Sequence, residues 1–302
     1  MKRIPSLLTI VSILVISFIS CKKDSNADNS NPNPSTSSNY LSRISFYSND
    51  GSGTEVLDGT TTYVFDNQKR VTKKIDSSLV GSSASFVLWQ TTEYFYNGND
   101  TLPFKEVIIG NPAAQIEYDT TISYFTYNSA GLLIRDTGFY VSHGTGYFAV
   151  NSNQTFTYSG TMITGRMDAT ITQTSGSYTE TRIDTAQTDA NGNIIHNIKH
   201  KGIENINSTI TWDNHPSPFS KLSNFRSSFI FPFGETFFYE MPQYNNRLHI
   251  TEVQTGGSTH TYDEDLTGNY TYNAEGYPSQ ILEQDPTTTG AYEKVIFEYR
   301  SL

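Results

Sequence analysis

The stretch Ser123-Tyr-Phe-Thr-Tyr-Asn-Ser-Ala-Gly-Leu-Leu-Ile-Arg135 decides how this chain folds. Phe125 and Tyr127 stand two apart and so share one face of a strand. Asn128 and Gly131 take the first and fourth places of a type I turn, where Asn and Gly are favoured. Leu132-Leu133-Ile134 then opens a return strand. The whole piece reads as a β-hairpin.

Copies of this hairpin run along the chain in phase. The polar turn residue recurs at Asp66, Asn97, Asn128 and Ser159, 31 residues apart each time. Two same-face aromatics precede each one: Tyr63 and Phe65, Tyr94 and Tyr96, Phe125 and Tyr127, Phe156 and Tyr158. Apolar return strands follow, carrying Val71 and Ile75, Leu102 and Val107, Leu132 and Ile134, then Met162 and Ile163. The motif then degrades. Asp189–Asn193 keeps the turn chemistry, but Ala186 and Thr188 replace the aromatics. Trp212-Asp213 keeps a strand end, while Pro216 and Pro218 forbid a tight return. It comes back as Tyr270-Thr-Tyr-Asn-Ala-Glu-Gly-Tyr277, and Val295–Tyr299 alternates like a last strand.

Side-by-side hairpins of this kind give an all-β fold, an antiparallel β-meander of about fourteen to eighteen strands. Sheets of more than ~10 strands curl or split. A strongly curled open sheet or partial barrel is therefore expected, with the turn-proximal aromatics inside and a bulge at each turn. Twenty Tyr, eighteen Phe and 17% charged residues suit half-buried strands.

Met1–Cys21 stands apart from the fold. Lys2 and Arg3 precede the largely apolar Ile4–Ile19, which is shorter than the ~20 residues of a comfortable membrane span. A signal peptide is the expected reading. Phe18-Ile19-Ser20-Cys21 resembles a bacterial lipobox, with Phe18 where the motif usually has a Leu-like residue. In that motif the Cys is lipidated and becomes the mature N-terminus. Cys21 is the sole cysteine, so no intrachain disulfide and no second thiol chemistry is available. Residues 22–39 are an Asn/Ser/Pro-rich tether with the composition of disordered chain, and residues 40–302 form a single β-repeat domain. The expected address is the outer membrane, on its periplasmic or cell-surface face, with the membrane as partner through the N-terminal lipid.

Removing Lys2 and Arg3 takes the net charge from −10 to about −12. An acidic domain without basic patches repels phosphate backbones and anionic lipid, so no nucleic-acid partner is expected.

The aromatic-x-aromatic-Asn-x-x-Gly-apolar unit resembles the tyrosine–aspartate (YD/RHS-like) repeats of bacterial surface proteins. With the lipobox, the polar tether and Pro218-Phe219-Ser220-Lys221-Leu222, it is similar to uncharacterised Bacteroidetes lipoproteins of the DUF4595 type. The resemblance spans nearly all of Tyr40–Leu302. It implies the repeat fold and the envelope setting, and it implies no activity, because that family has none agreed.

The largest break in the period lies at about 213–254, an aromatic insert rich in Phe and poor in charge. Trp212, Phe219, Phe231, Phe233, Phe237 and Tyr239 could rim a ligand groove, since sugars and extended peptides dock on aromatic platforms. The same residues could instead cover the open edge of the sheet and fill its core.

Catalytic motifs are missing from the sequence: no nucleophile elbow, phosphate loop, dinucleotide fingerprint or His-Glu-x-x-His occurs. His196 and His200 lie four apart on an alternating strand, which holds them ~13 Å from each other. Asp189-x-Asn191-x-Asn193 and Asp263-x-Asp265-x-Thr267-Gly268 each resemble half of a calcium loop and lack its closing Glu. Asp263 and Asp265 are thus the candidate Ca²⁺ ligands, with no other cofactor expected. The function expected is a non-enzymatic binding module for glycan or an envelope protein, or a scaffold. The alternative is a carbohydrate-active hydrolase using acids near the insert, among them Glu235, Glu240, Asp263, Glu264 and Asp265.

Overall fold

In the computed structural model the described residues are 39–79, 86–111, 120–142, 148–201, 204–222, 245–256, 259–284 and 288–302. They form one antiparallel sheet of 17 strands. In chain order these are β1 (Asn39–Asp50), β2 (Val56–Phe65), β3 (Val71–Leu79), β4 (Phe86–Phe95), β5 (Lys105–Gly110) and β6 (Thr120–Tyr127). Next come β7 (Leu133–Ser142), β8 (Phe148–Ser159), β9 (Met162–Gln173), β10 (Gly176–Thr188), β11 (Ile194–Lys201) and β12 (Glu204–Pro216). The chain ends with β13 (Asn245–Thr255), β14 (His260–Asp265), β15 (Tyr270–Tyr272), β16 (Pro278–Gln284) and β17 (Ala291–Ser301). One 3-10 turn, Ser220–Leu222, is the helical piece among the described residues.

The expected meander is observed, with one addition. From β2 to β14 each strand pairs with its neighbour in sequence. At the other side β1 lies between β2 and β17, pairing with both. Through β17 the sheet continues to β16 and β15. Its two edges are therefore β14 and β15, strands consecutive in the chain. No ladder joins them, so the curled sheet is not closed into a barrel.

The turns explain the 31-residue phase. Asp66, Asn128, Asp189 and Asn273 each accept, on the backbone carbonyl, the amide of the residue three places on: Lys69, Gly131, Gly192 and Gly276. Their Oδ1 atoms also accept from the amides two and four places on. That side-chain bond is why Asp or Asn stands there. The fourth residue takes positive φ, 72° at Gly131 and 82° at Gly276, and a bulge follows at each turn. Ser159 differs: it pairs with Met162 across the two-residue turn Gly160-Thr161.

The first aromatic of each unit points inward. Tyr63, Tyr94, Phe125 and Phe156 are all buried, each worth roughly 1.5–3 kcal/mol as removed apolar surface. The second aromatic bonds backward. Tyr96 Oη donates to the Val71 carbonyl at 2.7 Å, Tyr127 to Pro103 at 3.0 Å and Tyr158 to Leu133 at 2.8 Å. In the degraded units Trp212 Nε1 reaches Ile194 at 2.8 Å, Tyr270 reaches Arg247 at 2.9 Å and Tyr299 reaches Pro278 at 2.6 Å. Each bond pins one hairpin to the start of an earlier return strand.

Candidate functional site

Beyond the aromatic layer the inner face turns polar. Thr61, Thr92, Ser123 and Gln154, again 31 apart, each stand two residues before the first aromatic of their unit and are buried. On the return strands the aromatics face charge: Tyr63 pairs with Lys74, Tyr94 with Glu106 and Phe125 with Asp136. The belt continues through Arg182, Asp184, Asn197, Lys199 and Ser208 on β10–β12, all buried.

Three groups of charge sit in this belt. Lys74 Nζ lies 3.2 Å from Asp76, whose carboxylate also accepts from Thr61 and Gln90. Nearby, Glu106 is 1% exposed. Burial, then the charge of Asp136, pushes its carboxyl up to about 8, against a smaller pull from Lys74. Glu106 Oε2, Ser123 Oγ and Ser152 Oγ find no hydrogen-bond partner among the described residues, although Glu106 and Ser123 are directly cross-strand. Arg182 and Asp184, two apart on β10, form a buried pair at 3.1 Å. Burial raises Asp184 against Arg182, the His200 amide and Lys199. At the unladdered edge, Arg247 Nη2 meets Glu264 at 2.6 Å with both side chains buried. Glu283 on β16 is raised to about 7, by burial first and then by Glu264 and Glu293.

Chemically, the belt keeps a carboxylic acid protonated at neutral pH and seals it from solvent. A neutral acid of this kind is a hydrogen-bond donor rather than an anion.

Outward positions differ from place to place. On β8–β10 they include Asn151, Asn153, Thr155, Arg166, Asp168, Thr170, Thr179 and Thr181, with the exposed apolar Met162 and Ile183 among them. Arg166 holds Asp168 at about 2 on this surface, with Thr181 adding a hydrogen bond. On β5–β7 they include Val107, Ile109, Ile122, Tyr124, Phe139 and Val141 beside the exposed Thr126, Arg135 and Thr137, and Tyr124 is 49% exposed.

The residues singled out by sequence fall in separate places. Phe219 is 4% exposed, packed with Leu41, Ile44 and Leu222 in the core under β1. Trp212 is half-buried against the second core cluster and anchors Ile194. Phe231, Phe233, Phe237, Tyr239, Glu235, Glu240 and Cys21 lie outside the described residues. Asp263 points outward, accepting from Thr251 at 2.7 Å and facing His249 Nε2 at 3.0 Å. The Thr267 hydroxyl and then its amide, which donates at 2.8 Å, hold the Asp265 carboxyl below the usual range. Among the described residues no three His, Cys, Asp or Glu side chains converge as metal ligands, and Glu264 is committed to Arg247. The buried belt itself was missed. Its signal was the 31-residue recurrence of an uncharged polar residue two places before the first aromatic.

No family model and no curated protein matches the chain. Solved structures that align with the chain include two porin-like proteins. A porin-like protein from Bacteroides vulgatus ATCC 8482 aligns over 87% of this chain and 99% of its own, with a TM-score of 0.51 and 13% identity. A porin-like protein from Bacteroides uniformis ATCC 8492 aligns over 86% and 98%, with a TM-score of 0.44 and 16% identity. At 13% identity the likeness to the first is one of fold.

Proposed function

We propose that the chain is a lipid-anchored cell-envelope protein whose β domain stands in water as a binding or scaffold module rather than an enzyme. Its partner would be a glycan or an envelope protein. The carrying observation is the outer wall of β8–β10. A membrane-spanning strand alternates apolar-out and polar-in. On this wall Asn, Thr, Arg and Asp face out with Met162 and Ile183 as the exposed apolar exceptions, while the outward apolar residues of β5–β7 form a patch interrupted by Thr126, Arg135 and Thr137. A wall of that composition is wetted rather than lipid-bathed. The lipobox-like Phe18–Cys21 supplies attachment by another route. Aromatic residues of the insert support glycan as the ligand class.

Two measurements test this reading. Cys21→Ala is expected to abolish incorporation of labelled fatty acid and to shift the protein out of the outer-membrane fraction. Unchanged labelling and fractionation would contradict the anchor. A glycan array probed with residues 39–302, followed by product analysis on each hit, separates the module from a hydrolase: retention without cleavage supports it, and released oligosaccharide overturns it.

A further inference from the structure

The ladder register lines up five inward positions across the middle of the polar belt. Glu106 on β5 stands directly across from Ser123 on β6, Ser123 from Gly138 on β7, Gly138 from Ser152 on β8, and Ser152 from Ala169 on β9. All five are buried, Glu106 and Ser123 to 1% exposure and Ser152 to 4%. Gly138 brings no side chain to this row, and Ala169 brings only a methyl.

Three polar groups of the row have no protein partner. Glu106 Oε2, Ser123 Oγ and Ser152 Oγ make no hydrogen bond among the described residues. Adjacent strands lie ~4.8 Å apart, so the Ser123 and Ser152 backbones on either side of Gly138 are ~9.6 Å from each other. Two serine side chains are too short to close that distance. A single water, with oxygen–oxygen contacts of ~2.8 Å on each side, spans what they leave. Toward the turns the row is flanked by the pair Asp136 and Gln154, and away from them by Tyr140 and Val150 in an apolar cluster. A buried water needs room and two to four polar partners. Gly138 and Ala169 give the room, and Glu106, Ser123 and Ser152 are the partners.

The pattern returns on β10–β12. Asn197 is fully buried between Ala186 and Ser208, and neither its Oδ1 nor its Nδ2 has a partner among the described residues. Ser208 is already bound to Glu252, and Ala186 offers only a methyl. Turning the amide over exchanges one orphan for the other, because it carries an acceptor at one tip and donors at the other.

We infer that the polar belt is hydrated inside the fold: ordered waters bridge Glu106, Ser123 and Ser152 over Gly138, and a further water is held by the Asn197 amide. Such waters belong to the structure as side chains do. They also give a neutral Glu106 an acceptor for its proton. The inference stands apart from the anchor and from any glycan or protein partner.

Oxygen-17 relaxation dispersion tests it by counting waters held far longer than surface water. A positive count is expected for the parent. Gly138→Ala sets a methyl where the bridging water stands, and Ser152→Ala removes one of its partners. Each should lower the count, as should Asn197→Leu at the second place, whereas Thr170→Ala on the outer wall should leave it unchanged. If Gly138→Ala does not fold, Ser152→Ala still decides, since it removes one buried atom and adds no bulk. A crystal structure should show density within hydrogen-bond reach of both Ser123 and Ser152. No long-lived water in the parent, an unchanged count in Ser152→Ala, an equal loss in Thr170→Ala, or serine hydroxyls turned onto main-chain carbonyls with no density between them overturns the inference.

Discussion

The hydroxyl of Tyr127 donates 3.0 Å to the carbonyl of Pro103, tying the third hairpin to the return strand of the second. Tyr96 and Tyr158 make the same bond one unit earlier and one unit later, to Val71 and Leu133. The second aromatic of the repeat is therefore chosen as much for its hydroxyl as for its ring.

Replacing Tyr127 by Phe keeps the ring and removes the bond. The expected loss is ~1 kcal/mol, a drop in melting temperature of about 2–4 °C for a domain of this size. Tyr96→Phe and Tyr158→Phe should behave alike, and the triple variant should come close to their sum because the sites share no partner. A calorimetric scan in which Tyr127→Phe melts with the parent would show that water replaces the bond at no cost.

Lys69→Gly should raise stability by ~1 kcal/mol or more, because Gly adopts φ near 62° without a clash against Cβ. Gly131→Ala, at φ 72° in the equivalent turn, should lower it by a similar amount. Urea midpoints read both, and a destabilised Lys69→Gly would mean that the contact with Tyr40 outweighs the strain.

Glu106 fixes the sign of a pH effect. Its folded-state carboxyl titrates near 8 against an ordinary 4.5, so between those values the native state holds a proton that the unfolded chain has released. Stability from this group therefore falls as pH rises through that window. Glu283, raised to about 7, acts in the same direction over a narrower range. Glu106→Gln mimics the protonated form. It should be near neutral at pH 5 and stabilising by about 2–5 kcal/mol at pH 9. Parallel denaturation curves for parent and variant across that range would show that Glu106 is solvated.

Arg247 and Glu264 close the unladdered edge with a buried pair. Arg247→Met strands a carboxylate that is 7% exposed as a residue and should cost ~3–5 kcal/mol, whereas adding Glu264→Leu should return most of that loss. The double-variant cycle checks this. If the second change restores nothing, the Arg247 side chain works mainly by packing.

Much of this architecture was legible because strand faces and turns are local. Asn128 and Gly131 announced their turn, and Phe125 announced its inward face. The backward bond of Tyr127 was hidden, since it depends on which hairpin lies beside which, a matter settled only when the sheet assembles. Placement of β1 against β17 was equally invisible, being a pairing across the whole chain. Charged residues such as Lys74 and Glu106 look like surface residues by composition. Their burial follows from register alone, because each stands across from an aromatic that must point inward. Phe219 carried the right chemistry for a platform and is packed in the core, while Trp212 stays half-buried against the second cluster.

Because β1 is held between β2 and β17, its second edge waits for the final strand to arrive. Asn39 pairs with Ser301, so one of the longest loops the chain can close must form before Leu41, Ile44 and Phe46 are covered. Such non-local closure is slow and leaves a sticky edge bare meanwhile. Early strands cannot finish as they are made. The domain is built to mature only once β17 has been delivered, and a product cut short before residue 291 would offer β1 to its neighbours as an aggregation seed.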